Sequence, residues 1–201
     1  MSIDLAVQRQ PALRSRGRRK IRRAQRDERR RRARDAQVAA RLAELHHIRI
    51  LLEDAIAVVG AGWVQRAWFA VPDDQGRRRT VTAHNLHVAL DSPVAAACLV
   101  GAIVQTGGGP RQVHSQLVQR TLDLTWHALR QSPHQPVRWC PAPAVRAAHV
   151  RDLTRWNDDT DRTAGQVTEL LRTAVRTADA QADLVRHQRQ PADRGAGGYR
   201  D

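Results

Sequence analysis

Three sets of residues have the chemistry for a function: a cysteine with histidines, a group of aspartates, and a block of arginines. A thiol activated by an imidazole that an amide orients is the papain-like set of residue types. Here it would comprise Cys98, one of His84, His87 and His149, and Asn157. Spacing selects none of these histidines. Cys98 also sits in the middle of an apolar run, flanked by Ala97 and Leu99, six residues after the expected helix start at Ser92. Free cysteine is among the most buried residue types, so Cys98 reads as core first and as a catalytic nucleophile only as an alternative.

Asp158, Asp159 and Asp161 suggest a divalent cation, and Asp159, Asp161 and Thr163 begin like a calcium loop. The pattern then fails, because Ala164 stands at the required glycine and Leu170 at the bidentate acid. Carboxylates at the start of the last helix, where its dipole favours negative charge, account for the cluster more simply. His84 and His87 lack a third ligand at metal-site spacing, and His46 and His47 point in different directions on a helix. The run Gly107 to Gly109 follows a helix and lacks the phosphate-loop pattern. No metal and no cofactor is therefore expected.

The arginine block makes sense without a precise fold. From Arg14 to Arg34 there are 13 basic and 2 acidic residues, which is +11 of the chain's net +14, whereas residues 35 to 201 are nearly neutral. Arginines neutralise phosphates and release counterions with little sequence preference, so Arg18, Arg19, Lys20, Arg22, Arg23, Arg29, Arg30, Arg31 and Arg32 are candidate nucleic-acid contacts. No aromatic residue interrupts the block, so stacking on single strands is not indicated. The competing reading is a solubilising or incidental arm. All but one of the 34 basic residues are arginine in an alanine-rich chain, the composition of a high-GC genome, so the shortage of lysine says little about recognition.

These residues must be positioned by a largely helical domain. Val38, Leu42, Leu45, Leu52, Ile56 and Val59, thickened by Ile48, Leu51 and Ala55, predict a helix over 35 to 59, stopped by Gly60 and Gly62. Residues 63 to 70 and 77 to 83 flank a Pro-Asp-Asp-Gln-Gly turn and predict a hairpin. The most apolar stretch, Ser92 to Gly107, predicts a buried central helix capped by Ser92 with Pro93 in its first turn. At about 14 residues it is too short to cross a bilayer.

A second amphipathic helix is expected over 111 to 131, facing inward with Val113, Leu117, Val118, Leu122, Leu124 and Leu129. Four prolines then impose an extended excursion, and a short helix fits 144 to 155. Thr163 and Gln166 form a capping box for the last helix, which carries Val167, Leu170, Leu171, Ala174, Val175 and Ala178 inward. Trp156 is expected to anchor the loop before it, with Asn157 bonding turn backbone. The arm can bury no face, so it is expected to be disordered and solvated, becoming helical on an anion or as an extension of the following helix. Residues 187 to 201 have the composition of disorder.

Three pieces in order, LLEDAIAVVGAGWVQRAWFA at 51 to 70, CLVGAI at 98 to 103 and WNDDTDRTAGQVTELLRTA at 156 to 174, resemble a family of small proteins of unknown function from actinobacteria and their phages. The resemblance covers roughly residues 45 to 178 and picks out Trp63, Cys98, Gly101, Trp156, Asn157, Asp158 and Thr163 as structural positions. It implies a domain boundary and no catalytic residue.

The expectation is thus a mainly α fold, a compact bundle of about four to five helices with a small β-hairpin. It would be organised as a basic arm (1–34), a helical domain (35–186) and a tail (187–201). We expect a non-enzymatic binding module that contacts nucleic acid through its arm, with no membrane partner and an unnamed protein partner. The alternatives are a hydrolase or transferase using Cys98 and an interaction protein whose arm is incidental. Two cysteines without a CxxC pair, and no apolar leader, fit a reduced cytoplasmic setting.

Overall fold

The fold is known from a computed structural model that describes residues 10–130, 135–137, 139 and 142–188, the first ten of these by their backbone alone. It divides into two units, Met1–Arg41 and Leu42–Asp201. Five helices and a small sheet follow one another: α1 (Gln10–Ala61), β1 (Phe69–Pro72), β2 (Arg78–Val81), β3 (Ala96–Ala97), α2 (Leu99–Thr106), α3 (Gln116–Arg130), α4 (Pro143–Asn157) and α5 (Ala164–His187). The protein is therefore mainly α, as its periodicities require.

In the second unit the core is aliphatic around one fully buried aromatic ring, Phe69. The stripe expected on α1 is present, with Leu45, Ile48, Leu51, Leu52, Ala55 and Val59 buried. Leu99 to Val104 of α2 are buried without interruption. Val118, Leu122 and Leu124 of α3, and Val167, Leu170, Leu171, Ala174 and Ala178 of α5, close over them. Leu153 contributes from α4.

The hairpin forms about the expected turn, but its first strand is Phe69–Pro72 rather than residues 63 to 70, and a third strand joins it. The order is β2-β1-β3, all antiparallel, with Phe69 opposite Val81 on one side and Ala97 on the other. Asp73 shapes the turn by accepting from the amides of Gln75 and Arg77 at 2.9 and 2.7 Å, and Gly76 supplies the positive φ of 74°.

The central helix is shorter than periodicity predicts. Ser92 does not cap it; its hydroxyl donates to the Val88 carbonyl at 3.2 Å. Residues 96 to 98 are extended, and the amides of Ala95, Ala97 and Cys98 donate to the carbonyls of Ala70, Gly62 and Trp68. The physical reason is that an extended Ala96–Ala97 pairs the second edge of β1, where buried backbone groups would otherwise lack partners. The helix begins only where that edge ends. Its N-cap is Cys98, whose Sγ accepts from the Gly101 amide at 3.3 Å. Its end is as expected, in the glycine run, with Gly108 and Gly109 at φ 105° and 82°.

Helix α3 starts later than expected, after a 3-10 turn at Pro110–Gln112, and the short helix becomes the 15-residue α4. The capping box of α5 is complete, with Thr163 Oγ1 accepting from the Gln166 amide and Gln166 accepting from the Thr163 amide. In the first unit the arm is the extension of the following helix, and every side chain from Lys20 to Arg34 is exposed, as a solvated arm requires. The expected tail, apart from its first two residues, lies outside the described residues, as does Cys140.

Candidate functional site

The pieces of the sequence signature are far apart in the chain and meet at one side chain, Asn157, the last residue of α4. It is fully buried. Its Oδ1 accepts from the indole Nε1 of Trp63 at 3.0 Å and from the amide of Leu99 at 3.1 Å, the first residue of α2. Its Nδ2 donates to the Val64 carbonyl at 3.3 Å and to Asp158 Oδ1 at 2.9 Å. Oδ1 has two donors and Nδ2 two acceptors, so the full capacity of the amide is used. Asn157 was expected to serve a local turn. It instead joins the end of α4, the loop after α1 and the start of α2.

The neighbours extend the same clamp. Asp158 Oδ1 also accepts from the Arg66 amide at 2.8 Å, which holds Arg66 at φ 60°, a left-handed conformation that costs a non-glycine residue about 1 kcal/mol. Gln65 Nε2 donates to the carbonyls of Asn157 and Asp159. The Trp68 carbonyl receives the Cys98 amide at 3.0 Å and passes so close to α2 that a Cβ on Gly101 would lie 1.9 Å from it. That is why CxxGA has its glycine. Trp156 is half-buried, with the Arg162 guanidinium stacked 4.0 Å from its ring and Arg162 Nε donating to its carbonyl at 2.9 Å. It does anchor the loop before α5.

The chemistry proposed for two of these groups finds no geometry here. Cys98 is buried, and desolvation first, against the Gly101 amide, pushes its thiol up to about 12. A thiol so protonated is a poor nucleophile at neutral pH. Asn157 lies beside it on the Leu99 amide, but no candidate histidine is bonded to the thiol: His84 and His87 are exposed, and His149 is engaged by Asp123. Two of the three aspartates, Asp158 and Asp159, are also occupied. Asp159 accepts from the Asp161 amide and pairs with Arg162 at 3.3 Å, and among the described residues no group of three or more His, Cys, Asp or Glu is gathered as a metal would need.

A second polar cluster, which sequence reasoning missed, ties α3 to α4. Asp123 is buried, its Oδ1 bonded to His149 Nδ1 at 3.0 Å and its Oδ2 to Arg146 Nε at 3.3 Å. The His149 ring stacks on Trp126 with 3.8 Å between centroids, and the Trp126 indole donates to Asp152 Oδ2 at 3.0 Å. That bond, with Arg130 beside it, holds the Asp152 carboxyl below its usual range. Asp152, Arg130, Arg155, Leu129 and Trp156 line a shallow, open depression of about 330 Å³. Nearby, His127 is buried, with no partner for Nε2 among the described residues, and desolvation lowers its pKa. The only signal in the sequence was that polar residues 121, 123, 125 and 127 crowd a helix that must bury much of its surface.

The arm is arranged differently. Arg22, Arg23, Arg26, Arg29, Arg30 and Arg31 are exposed, as are Lys20 and Arg32, with Arg32 in an ion pair to Glu28 at 2.8 Å. Arg22, Arg23, Arg26, Asp27 and Arg30 share one shallow concavity along the helix. Arg18 and Arg19 lie in the same helix, where only the backbone is described.

Fold and site define a small, mainly helical domain stapled by a buried asparagine and preceded by an Arg-rich helical segment. A family model covers residues 44–177, and the chain belongs to that family, DUF6197, a family of unknown function. No curated protein and no solved structure matches the chain. Among the described residues no helix is long and apolar enough to cross a membrane.

Proposed function

We propose that this protein is a non-enzymatic binding module whose Arg-rich segment contacts nucleic acid electrostatically, while the DUF6197 domain serves as the folded body that carries it. The observation behind this reading is the contrast in how polar groups are used: the motif residues of the body are hydrogen-bonded to one another, whereas Lys20 to Arg34 expose nine basic side chains. Guanidinium groups displayed in water, with few carboxylates to pair them, form the electrostatic footprint of a polyanion binder.

The test is binding of mixed-sequence nucleic acid by the full-length chain across a salt series, beside a full-length variant with those nine basic residues replaced by glutamine. The reading predicts affinity that falls with salt at about 0.9 per phosphate neutralised on duplex DNA, and its loss in the variant. Equal binding by both proteins, or by neither, would leave the arm incidental.

A further inference from the structure

The described part of the arm has a face, and that face suits one form of nucleic acid. At roughly 100° per residue, Arg26 lies about opposite the stripe formed by Ile21, Ala24 and Glu28. Arg22 and Arg29, seven residues apart, flank Arg26 on one side, and Arg23 and Arg30 flank it on the other. The shallow concavity along the helix lies on this side, lined by Arg22, Arg23, Arg26 and Arg30 with Asp27. The opposite side carries Ile21, Ala24 and Glu28, with Ile21 exposed and Glu28 turned to Arg32, and of the basic residues only Arg31 lies as near to its centre as Ile21 does.

We infer that this face docks in the major groove of duplex DNA, with Arg26 directed into the groove and the two flanking pairs on phosphates of its opposite walls. The inference rests on the nucleic-acid reading above and narrows it. A helix about 10–12 Å across fits a B-form major groove about 12 Å wide. The A-form major groove is too deep and narrow for side chains to read. A helix seated in a groove needs one side turned to water, and the Ile21, Ala24 and Glu28 stripe is that side. Single strands are bound largely by stacking on aromatic rings, and the segment from Arg14 to Arg34 contains none.

The experiment compares one mixed sequence as duplex DNA, single-stranded DNA and duplex RNA, using the full-length chain at matched salt. Affinity for duplex DNA is expected to exceed that for the other two by at least about tenfold, one decade of binding constant. Replacing Arg22 and Arg29 together by glutamine, or Arg23 and Arg30 together, should lower the salt slope by about 1.8, two phosphates at about 0.9 each. Glu28→Gln, on the outward stripe, should leave the slope unchanged. Equal affinity for single strand or duplex RNA, or flanking-pair variants that behave like Glu28→Gln, would overturn the groove inference and leave the broader reading standing. Binding to none of the three would overturn both. Circular dichroism of each variant checks that helix content is retained.

Discussion

The Asn157 node and the arginine arm are both dense in polar groups, and they use them in opposite ways. At the node a neutral amide makes four hydrogen bonds, all to other parts of the same chain, inside a core that excludes water. In the arm, formal charges stand in water, and those in ion pairs gain little from them, since exposed pairs contribute about 0–1 kcal/mol. A group hydrogen-bonded to capacity within the fold has little left with which to bind anything else. The Gly-Trp, CxxGA and WND pieces of this chain are therefore the staple of the domain.

The largest effect that would break this contrast is at the node itself. Asn157→Ala strands the Trp63 indole N–H, the Leu99 amide and the Val64 carbonyl, and at about 1–3 kcal/mol for each buried unsatisfied group it should destabilise the protein by about 4 kcal/mol. Urea unfolding of the full chain measures it; a loss below about 1 kcal/mol would mean that water or a neighbour replaces the amide, and the node would no longer be the staple. Gly101→Ala comes next, at about 2–3 kcal/mol, because the new methyl meets a backbone carbonyl that is itself hydrogen-bonded and cannot simply move aside.

Smaller again is Cys98→Ser, expected to cost about 1 kcal/mol or less, since a hydroxyl oxygen can still accept from the Gly101 amide and cap α2. The matching chemical readout is alkylation at neutral pH mapped by peptide mass spectrometry. Cys98 should remain unmodified until the chain is unfolded, and rapid labelling of folded protein would revive a thiol mechanism.

The least pronounced effect concerns His127, whose burial disfavours the imidazolium and sets its folded pKa below the unfolded value of about 6.5. Between those two values the unfolded chain binds more protons than the folded one. Stability is therefore full above about 6.5 and declines as pH falls from there through the folded pKa. His127→Gln should remove that part of the slope in a pH series of unfolding curves. Arginine does not titrate in this range, so the same pH change should leave the salt slope of arm binding untouched.

Much of this architecture is legible in the chain, and the parts that are not share a cause. The α1 stripe, the hairpin turn and the Thr163–Gln166 capping box are local patterns, complete within a few residues, and each forms where the pattern lies. The apolar run from Ser92 was misjudged because periodicity cannot separate a buried strand from a buried helix when all its residues are apolar. What decides between them is β1, twenty-odd residues earlier, whose free edge recruits Ala96 and Ala97. Asn157 was recognised as a motif residue, but its partners lie 58 and 94 positions away, and nothing in WND says that it faces Trp63. Asp123 and His149 escaped for the same reason: their pairing bridges α3 and α4 across a proline-rich excursion.

The most direct test of the division between staple and interface is amide hydrogen exchange of the full-length chain with and without duplex DNA. Helix amides from Lys20 to Arg34, which no packed core protects, should exchange quickly in the free protein and slow on DNA. Leu99 to Ile103 and the segment around Asn157 should be slow in both conditions and unchanged between them. New protection at Trp63 to Trp68 or at the start of α2, with none in the arm, would show that the node is the binding surface and would contradict the account.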